Sequence, residues 1–339
     1  MNKSRRILFL IFFLLFALSI IRNDAFAQGT WRETIREKIK QRQQERIEAK
    51  QQSITEPGDY DLSLEHDGLI RIYKVHVPPS YNSITSTPLI LAFHGGMGDK
   101  EHMSKDKYFK LISKSDKEGF IVVFPNGASK LRSGKFATWN AGNCCAYARD
   151  NNIDDAGFVK KMIIDIKSKL NIDPKRIYAT GMSNGAMFSY RLACELTDQF
   201  KAIAPVAGTE NCNQCNPTKP ISVLHIHAKD DTHVLFNGGA GPEAFKDPTK
   251  VTDFTSVPET ILRWVKRNNC NSVPKRVLEK EGGYCDLYTG CEDNVQVKLC
   301  VTATGGHSWP GGEKPRGAPS QVISAVDEMW DFFSNLPRD

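Results

Sequence analysis

Three kinds of side chain in this sequence have the types and the order that acyl transfer requires. Ser183 lies between two glycines in residues 181–185, Asp230 and Asp231 follow it, and His307 comes last, within the glycine-rich residues 305–312. A serine hydroxyl becomes a strong nucleophile when a histidine removes its proton and a carboxylate orients that histidine. The order serine, acid, histidine therefore makes Ser183 a candidate nucleophile.

The setting of Ser183 favours this interpretation. Residues 177–180 form an apolar run typical of a buried strand, residues 181–185 read Gly-Met-Ser-Asn-Gly, and an apolar helix is predicted from Ala186 onward. The sharp reversal of a strand into a helix brings backbone segments so close together that the flanking positions need glycine. It also leaves the amide of Asn184 at a helix N-terminus, where a developing oxyanion is stabilised. The alternative is a glycine-rich connection that carries an ordinary serine.

The acid and the histidine are both expected on turns that follow strands. The apolar run at 221–226 precedes Asp230 and Asp231, and His307 lies between the last predicted strand and the last predicted helix. Only one of the two aspartates can point toward the histidine; we expect Asp231, and Asp230 stays open as the alternative. Ser183 would attack an ester carbonyl while His307 takes its proton and Asp231 orients the imidazole.

A second backbone donor for the oxyanion is expected in residues 94–98. This His-Gly-Gly-Met-Gly stretch directly follows the apolar run 88–93. The amide of Gly96 would hold the oxyanion together with that of Asn184, with Met97 as the nearby substitute for Gly96. His94 is expected to have a structural role in positioning this loop.

Two tryptophans and two further histidines lie near the same turns. Trp139 and Trp309 are candidates to line the substrate cleft, although ordinary packing would also account for them. His225 and His227 fall inside a predicted buried strand, where hydrogen-bonded core histidines are more common than ligands.

Apolar runs and helical periodicity alternate through the centre of the chain. Strands are predicted at 60–64, 69–77, 88–93, 119–124, 177–180, 202–206, 221–226 and 295–301, and helices at 102–117, 153–166, 186–193, 258–267 and 321–333. The first two strands alternate polar and apolar residues, as antiparallel strands do, whereas the later strands are apolar throughout. The pattern predicts an α/β fold with a mostly parallel central sheet and helices on both faces.

The N-terminal segment has the features of a secretory signal. Residues 1–27 contain basic residues, an apolar run at 7–21 and a small-x-small sequence at 25–27. We expect cleavage after residue 27, a charged, glutamine-rich arm at 28–57 and a catalytic domain at 58–338. The protein is therefore expected to be secreted, extracellular or periplasmic, with no stable membrane span after cleavage.

Charge and cysteine content narrow the possible partners. The formal net charge of +6 resides in the signal and the arm, so the remaining body is near neutral, which argues against a nucleic-acid-binding surface. All nine cysteines follow the cleavage site, which favours disulfides and leaves at least one thiol unpaired within the chain. The close spacings Cys212/Cys215 and Cys285/Cys291 could each close a small loop. A zinc site at Cys212 and Cys215 lacks a second ligand pair, so no metal is expected.

These motifs resemble those of the secreted esterases grouped with polyhydroxybutyrate depolymerases and family 1 carbohydrate esterases, which include feruloyl and acetylxylan esterases. The resemblance covers residues 58–337 and rests on the motifs at 94–96, 139–145, 154–158, 181–185 and 306–311. It implies an α/β-hydrolase fold, no cofactor, and Ser183, Asp231 and His307 as the catalytic triad. Ala228 and Thr232 depart from the glycine and proline usual around the acid, which keeps Asp230 open.

The resemblance implies a serine esterase that acts on a carboxylic ester of a polymer or its oligomers, polyhydroxybutyrate-like or feruloyl- or acetyl-polysaccharide-like. One alternative is a serine peptidase or acylaminoacyl hydrolase of the same fold. Another, from a different class, is a non-catalytic hydrolase-like binding protein, against which the intact set of Ser183, Asp231 and His307 argues. The oligomeric state and the preferred ester do not follow from the sequence.

Overall fold

The computed structural model describes residues 36–38, 54–244, 253–314 and 317–337. The chain divides into two compact units, Met1–Ile54 and Thr55–Asp339. In the first unit a helical turn covers residues 36–38. The predicted signal and most of the predicted arm lie outside the described residues, so the boundaries of signal, arm and catalytic domain stay predictions. Across the described ranges, none of the helices combines the length and the apolar character that a membrane crossing would need.

The second unit contains ten strands and eight α-helices among its described residues. The strands are β1 (Gly58–His66), β2 (Leu69–Val77), β3 (Thr87–Phe93), β4 (Ile121–Pro125), β5 (Ile172–Met182), β6 (Ala202–Val206), β7 (Ser222–Ala228), β8 (Lys275–Lys280), β9 (Gly283–Tyr288) and β10 (Val297–Thr302). The helices are α1 (Lys100–Met103), α2 (Asp106–Phe109), α3 (Leu111–Glu118), α4 (Ala146–Asp150), α5 (Asp155–Lys169), α6 (Asn184–Glu195), α7 (Val257–Arg267) and α8 (Ala325–Ser334). Single 3₁₀ turns cover Thr197–Gln199 and Glu292–Asn294.

All ten strands belong to one sheet with the order β1-β2-β4-β3-β5-β6-β7-β10-β9-β8. The six central strands, from β4 to β10, pair in parallel, and the strands at both ends of the sheet pair antiparallel. The carboxyl ends of the parallel strands consequently meet at one edge. The loops after β3, β5, β7 and β10 all begin at this edge, and these are the loops that carry the candidate site.

Apolar side chains cover both faces of the central strands. Every residue of β3, β4, β6 and β7 is buried. On one face, Ile90 and Ala92 of β3 belong to a core cluster that also contains residues of α1, α2, α3 and α8. On the other face, the ring of Phe93 contacts that of Phe188 on α6 with their centroids 5.1 Å apart. This double coverage explains the continuous apolar runs and confirms the predicted α/β-hydrolase fold class.

Two local predictions were wrong or incomplete. The single helix predicted at 102–117 is three short helices, because Lys110 takes a left-handed conformation with φ 55° between α2 and α3. The antiparallel pair β8–β9 was not predicted, since most residues of β8 are exposed and its sequence carries little apolar signal. Neither difference changes the positions of the loops at the carboxyl edge.

The turn between β5 and α6 depends on close backbone contact with the end of β3. A Cβ atom on Gly185 would lie 2.2 Å from the carbonyl oxygen of Phe93, and one on Gly181 would lie 2.6 Å from the carbonyl carbon of Gly185. Real Cβ atoms do not approach backbone so closely. By contrast, a Cβ atom on Gly95 would make an ordinary contact, 3.4 Å from the carbonyl oxygen of Met182.

We therefore expect Gly185→Ala to lower the free energy of unfolding by about 3 kcal/mol or more, because β3 and α6 must move apart to accept the methyl group. Gly95→Ala, a change of the same size on the facing loop, is the control and is expected to cost less than about 1 kcal/mol. Urea denaturation followed by circular dichroism measures both. Equal losses of stability in the two variants would contradict this account of the turn.

Candidate active site

Ser183 occupies the strained turn that the sequence predicts. Its backbone has φ 58° and ψ −121°, a conformation that places it between β5 and the first turn of α6. The turn is held by a hydrogen bond from the N–H of Ser183 to the carbonyl of Val206, with an N–O distance of 2.9 Å. The side chain of Ser183 remains partly exposed and faces a cavity.

Asp231 is the aspartate whose carboxylate reaches His307. The Nδ1 atom of His307 lies 2.8 Å from Oδ2 of Asp231, whose side chain is fully buried. Its other oxygen, Oδ1, accepts hydrogen bonds from the backbone N–H groups of His233 and Val234, at 2.8 and 3.0 Å. Burial alone would raise the pKa of Asp231, but hydrogen bonds from His227 and His307 outweigh it and hold this pKa far below its usual value.

Asp230, the alternative acid, has a different partner. It is exposed, and its Oδ1 accepts a hydrogen bond of 2.8 Å from the backbone N–H of Gly306. Asp230 therefore ties the loop after β7 to the loop after β10, one residue before His307. Gly305 and Gly306 have φ values of +122° and +58°, which let this loop bend back toward the β7 loop.

His233 contacts His307 and was not singled out from the sequence. The two rings stack with centroids 4.4 Å apart and an interplanar angle of 16°. Burial, together with the neighbouring His307, lowers the pKa of His233, which favours a neutral ring against the face of His307. The only sign of this contact in the sequence is that His233 lies two residues after Asp231. Neither that spacing nor the residue type indicates that His233 stacks on His307.

A cavity of about 870 Å³ brings the candidate residues together. It is lined by Ser183, His307, Gly96, Asn184, Met97 and His233. Its apolar wall includes Met182, Met187 and Phe109, and charged side chains such as Lys105 and Lys135 also border it. The cavity thus joins the Ser183 turn, the loop after β3 and the His307 loop into a single site.

His94 fixes the loop that contains Gly96. Its buried ring donates from Nδ1 to the carbonyl of Gly95 at 2.8 Å and accepts at Nε2 from the N–H of Gly127 at 2.9 Å. Both ring nitrogens are satisfied only in the neutral form, and burial lowers the pKa of His94 to about 4. The expected structural role of His94 therefore agrees with its surroundings.

The expectation that Trp139 and Trp309 line the cleft is corrected. Trp139 is fully buried, donates from Nε1 to the carbonyl of His94 at 3.0 Å and stacks on Phe188. Trp309 is 2% exposed and packs against the ring of Phe109. Both tryptophans support the walls of the site from behind, because the loops that carry them turn their large side chains into the core.

The side chain of Asn184 ties the Ser183 turn to the loop of Trp139. Its Oδ1 accepts from the N–H of Trp139 at 2.7 Å, and its Nδ2 donates to the carbonyl of Trp139 at 3.0 Å. This reciprocal pair holds the start of α6, whose first N–H groups have no partner within the helix. The backbone amide of Asn184 is thereby directed by a side chain that sequence analysis had not assigned a role.

The cysteines, all within the described ranges, do not pair as their closest spacings suggested. The disulfides are Cys144–Cys145, Cys194–Cys215, Cys270–Cys291 and Cys285–Cys300, and Cys212 is free. The small loops Cys212/Cys215 and Cys285/Cys291 are therefore not formed. Spacing along the chain could not reveal these pairs because the strand pairing of β9 with β10 places Cys285 opposite Cys300.

Two groups of side chains in the described ranges have metal-ligand composition. Asp231, His233 and His307 form one, and the disulfide-bonded Cys285 and Cys300 with Glu328 form the other. In the first group the Asp231 oxygens pair with Nδ1 of His307 and with the backbone N–H groups of His233 and Val234, and Nε2 of His227 lies 3.3 Å from Oδ2. The arrangement is suited to orienting an imidazole.

The parallel sheet, the strained serine turn and the paired aspartate and histidine define an α/β-hydrolase. Within that class the chain belongs to the esterase family: the family model described as "Putative esterase" matches residues 70–309. The fold is similar to that of an acetyl xylan esterase from Aspergillus awamori, with a TM-score of 0.55 and 16% identity, over 82% of this chain and 99% of that one.

Two curated relatives are similar in sequence to most of this chain. A feruloyl esterase B from Piromyces equi is 30% identical over 244 residues, which is 70% of this chain and 43% of the relative. A bifunctional acetylxylan esterase/xylanase from Neocallimastix patriciarum is 25% identical over 267 residues, which is 78% of this chain and 33% of the relative. The chain thus spans less than half the length of these two proteins. The resemblance to the feruloyl esterase group is confirmed.

The pKa of His94 leads to a prediction about acid stability. Between pH 6.5 and about 4 the unfolded chain binds a proton at this residue while the folded chain does not, so stability is complete above pH 6.5 and falls as the pH drops. The difference between the two pKa values corresponds to about 3 kcal/mol of folding free energy.

We expect His94→Gln, whose amide can replace both hydrogen bonds, to lose less stability than the wild type between pH 7 and pH 4.5. Urea unfolding at both pH values measures this difference, and identical pH dependence in the two proteins would contradict it.

Proposed function

We propose that the protein is a secreted serine esterase that hydrolyses carboxylic esters of a polysaccharide or its oligomers through an acyl-enzyme on Ser183. The observation that carries the proposal is the hydrogen bond of 2.8 Å between His307 and the buried Asp231, in a cavity that Ser183 also lines. Secretion rests on the signal-like residues 1–27. The named activities of the feruloyl and acetylxylan esterase relatives support the substrate class.

In the first half-reaction, Ser183 Oγ attacks the ester carbonyl carbon while its proton passes to Nε2 of His307. Asp231 keeps the proton of His307 on Nδ1 and stabilises the imidazolium. The backbone N–H groups of Gly96 and Asn184 are the proposed donors to the tetrahedral oxyanion. When the carbon–oxygen bond to the alcohol breaks, the alcohol leaves with the proton from Nε2, and the acyl group remains on Ser183.

In the second half-reaction, water replaces the alcohol. His307 takes a proton from the water as it attacks the acyl carbon, and returns that proton to Ser183 Oγ when the ester bond to the enzyme breaks. The carboxylic acid then leaves and the enzyme is restored.

The cavity wall favours an aromatic or long acyl group over a small one. Met182, Met187 and Phe109 offer thioether and ring surfaces to an acyl chain bound in front of Ser183, and thioethers make favourable contacts with aromatic rings. A volume of about 870 Å³ also exceeds what an acetyl group fills. A feruloyl ester fits this wall better than a hydroxybutyrate ester does.

Methyl ferulate and methyl 3-hydroxybutyrate share the same alcohol, so their kcat/KM ratio reports on the acyl pocket alone. We expect methyl ferulate to be preferred by at least about tenfold, and Ser183→Ala to lose on the order of 10⁴-fold or more in turnover. Release of ferulate and acetate from feruloylated and acetylated xylan extends the test to the polymer. Hydrolysis that survives in Ser183→Ala would overturn the mechanism, and a preference for hydroxybutyrate would overturn the substrate class.

The two neighbouring aspartates provide a matched pair of variants. Asp231→Asn is expected to lower kcat by about 10⁴-fold, because an amide no longer fixes the tautomer or balances the charge of His307. Asp230→Asn keeps a carbonyl oxygen that can accept from Gly306, and is expected to stay within about tenfold of the wild type. Steady-state kinetics on methyl ferulate measures both. A greater loss in Asp230→Asn than in Asp231→Asn would reverse the assignment of the acid.

A further inference from the structure

A row of three buried polar side chains runs from α6 to the back of Asp231. The hydroxyl of Tyr190 lies 2.8 Å from Nδ1 of His225, and Nε2 of His225 lies 3.1 Å from Nδ1 of His227. Nε2 of His227 lies 2.8 Å from the carbonyl of Val234 and 3.3 Å from Oδ2 of Asp231. The two histidines are two residues apart on β7, so both rings project from the same face of the sheet, and the planes of the two rings lie within 12° of each other.

The hydrogen-bond partners assign the protons along this row. The carbonyl of Val234 can only accept, so Nε2 of His227 carries a hydrogen. In the tautomer whose only hydrogen is on Nε2, His227 accepts at Nδ1 from Nε2–H of His225. His225 then accepts at Nδ1 from the hydroxyl of Tyr190. In this arrangement every donor points toward Asp231.

The surroundings favour these protonation states. Burial lowers the pKa of His225 far below its usual value, with His227 adding to the effect, and burial raises the pKa of Tyr190 well above its usual value. Tyr190 therefore keeps its hydrogen and His225 keeps only one. Glu210 adds to the rise in the pKa of Tyr190 and Arg267 opposes it, and these two side chains pair with each other.

We propose that Tyr190, His225 and His227 are positioning residues for catalysis: the row fixes Nε2–H of His227, which donates to the carbonyl of Val234, at 3.3 Å from Oδ2 of Asp231, the oxygen that His307 also uses, and this nearby N–H dipole helps to set the orientation and basicity of the carboxylate. This inference rests on the proposed triad. None of the three side chains lines the cavity of about 870 Å³, so they act through Asp231 and do not touch substrate.

This N–H dipole has a definite electrostatic consequence. With Nε2–H of His227 in place, part of the negative charge on Oδ2 is compensated before His307 becomes an imidazolium. Removal of that donor leaves the carboxylate less compensated, which favours the protonated form of His307. The other titratable groups that face His307 and its loop are His233, Lys314, Asp230 and, beyond His233, Glu243, and these remain unchanged.

The decisive measurement is the pH profile of kcat/KM on methyl ferulate for His227→Leu and His227→Gln. The leucine removes the donor, and we expect the acidic limb to move up by about 0.5 to 1 pH unit, with kcat lower by about tenfold or more and KM within about twofold. The glutamine amide can donate from nearly the same place as Nε2. We expect it to restore the acidic limb to within about 0.3 pH unit of the wild type.

Two buried tyrosines supply a matched test of the far end of the row. Tyr190→Phe removes the donor to His225 and is expected to shift the acidic limb in the same direction as His227→Leu, by a smaller amount. Tyr178→Phe also removes a buried hydroxyl, one that donates to the carbonyl of Phe333 at 3.3 Å, and is expected to leave the pH profile unchanged. Thermal melting of each variant separates lost stability from altered catalysis.

A wild-type pH profile and kcat in His227→Leu would overturn the proposal, as would equal shifts in Tyr190→Phe and Tyr178→Phe. If His227→Leu does not fold, the comparison of His227→Gln with the two tyrosine variants decides. If the proposal about Tyr190, His225 and His227 is wrong, the wild type still hydrolyses methyl ferulate and still depends on Ser183. This outcome is therefore distinguishable from a failure of the proposed function, in which that hydrolysis would be absent or independent of Ser183.

Discussion

A buried, ionised carboxylate at Asp231 is the constraint on which the candidate site depends. Such a charge is tolerated in the interior only when hydrogen bonds replace its lost hydration. Here the loop after β7 curls so that its own N–H groups at His233 and Val234 meet Oδ1, while His307 and His227 approach Oδ2. The conformation of that loop, the position of His307 and the side chains behind the loop are therefore all adapted to one carboxylate.

The parallel sheet explains how residues so far apart in sequence reach this carboxylate. β5, β6, β7 and β10 are consecutive neighbours in the sheet, and Ser183, Asp231 and His307 follow β5, β7 and β10. Their loops start from the same edge, so short connections suffice to bring His307 to Asp231 and to place Ser183 and His307 on one cavity. The close contact of the glycine turn with β3 adds the loop of Gly96 to the same edge.

The parts of this arrangement that depend on local pattern could be predicted from sequence. Continuous apolar runs located the central strands, and the glycines around Ser183 located its turn, because each signal lies within a few residues. The cleft assignments of Trp139 and Trp309 failed because the direction of a side chain on a loop depends on distant partners, such as the carbonyl of His94 and the ring of Phe109. The sequence left Asp230 open beside Asp231 for a similar reason, because the conformation of the turn decides which of the two carboxylates points inward.

The choice of histidines behind Asp231 has a physical rationale that the sequence pattern alone did not reveal. A buried arginine or lysine would also keep the carboxylate ionised, but a full positive charge would cancel much of the field that stabilises an imidazolium at His307. The N–H of His227 acts as a local dipole, whose effect weakens faster with distance than that of a full charge, so the net charge of the carboxylate is retained. β7, which carries this ring, is buried along its whole length, so the strand that builds the core also sets the surroundings of Asp231.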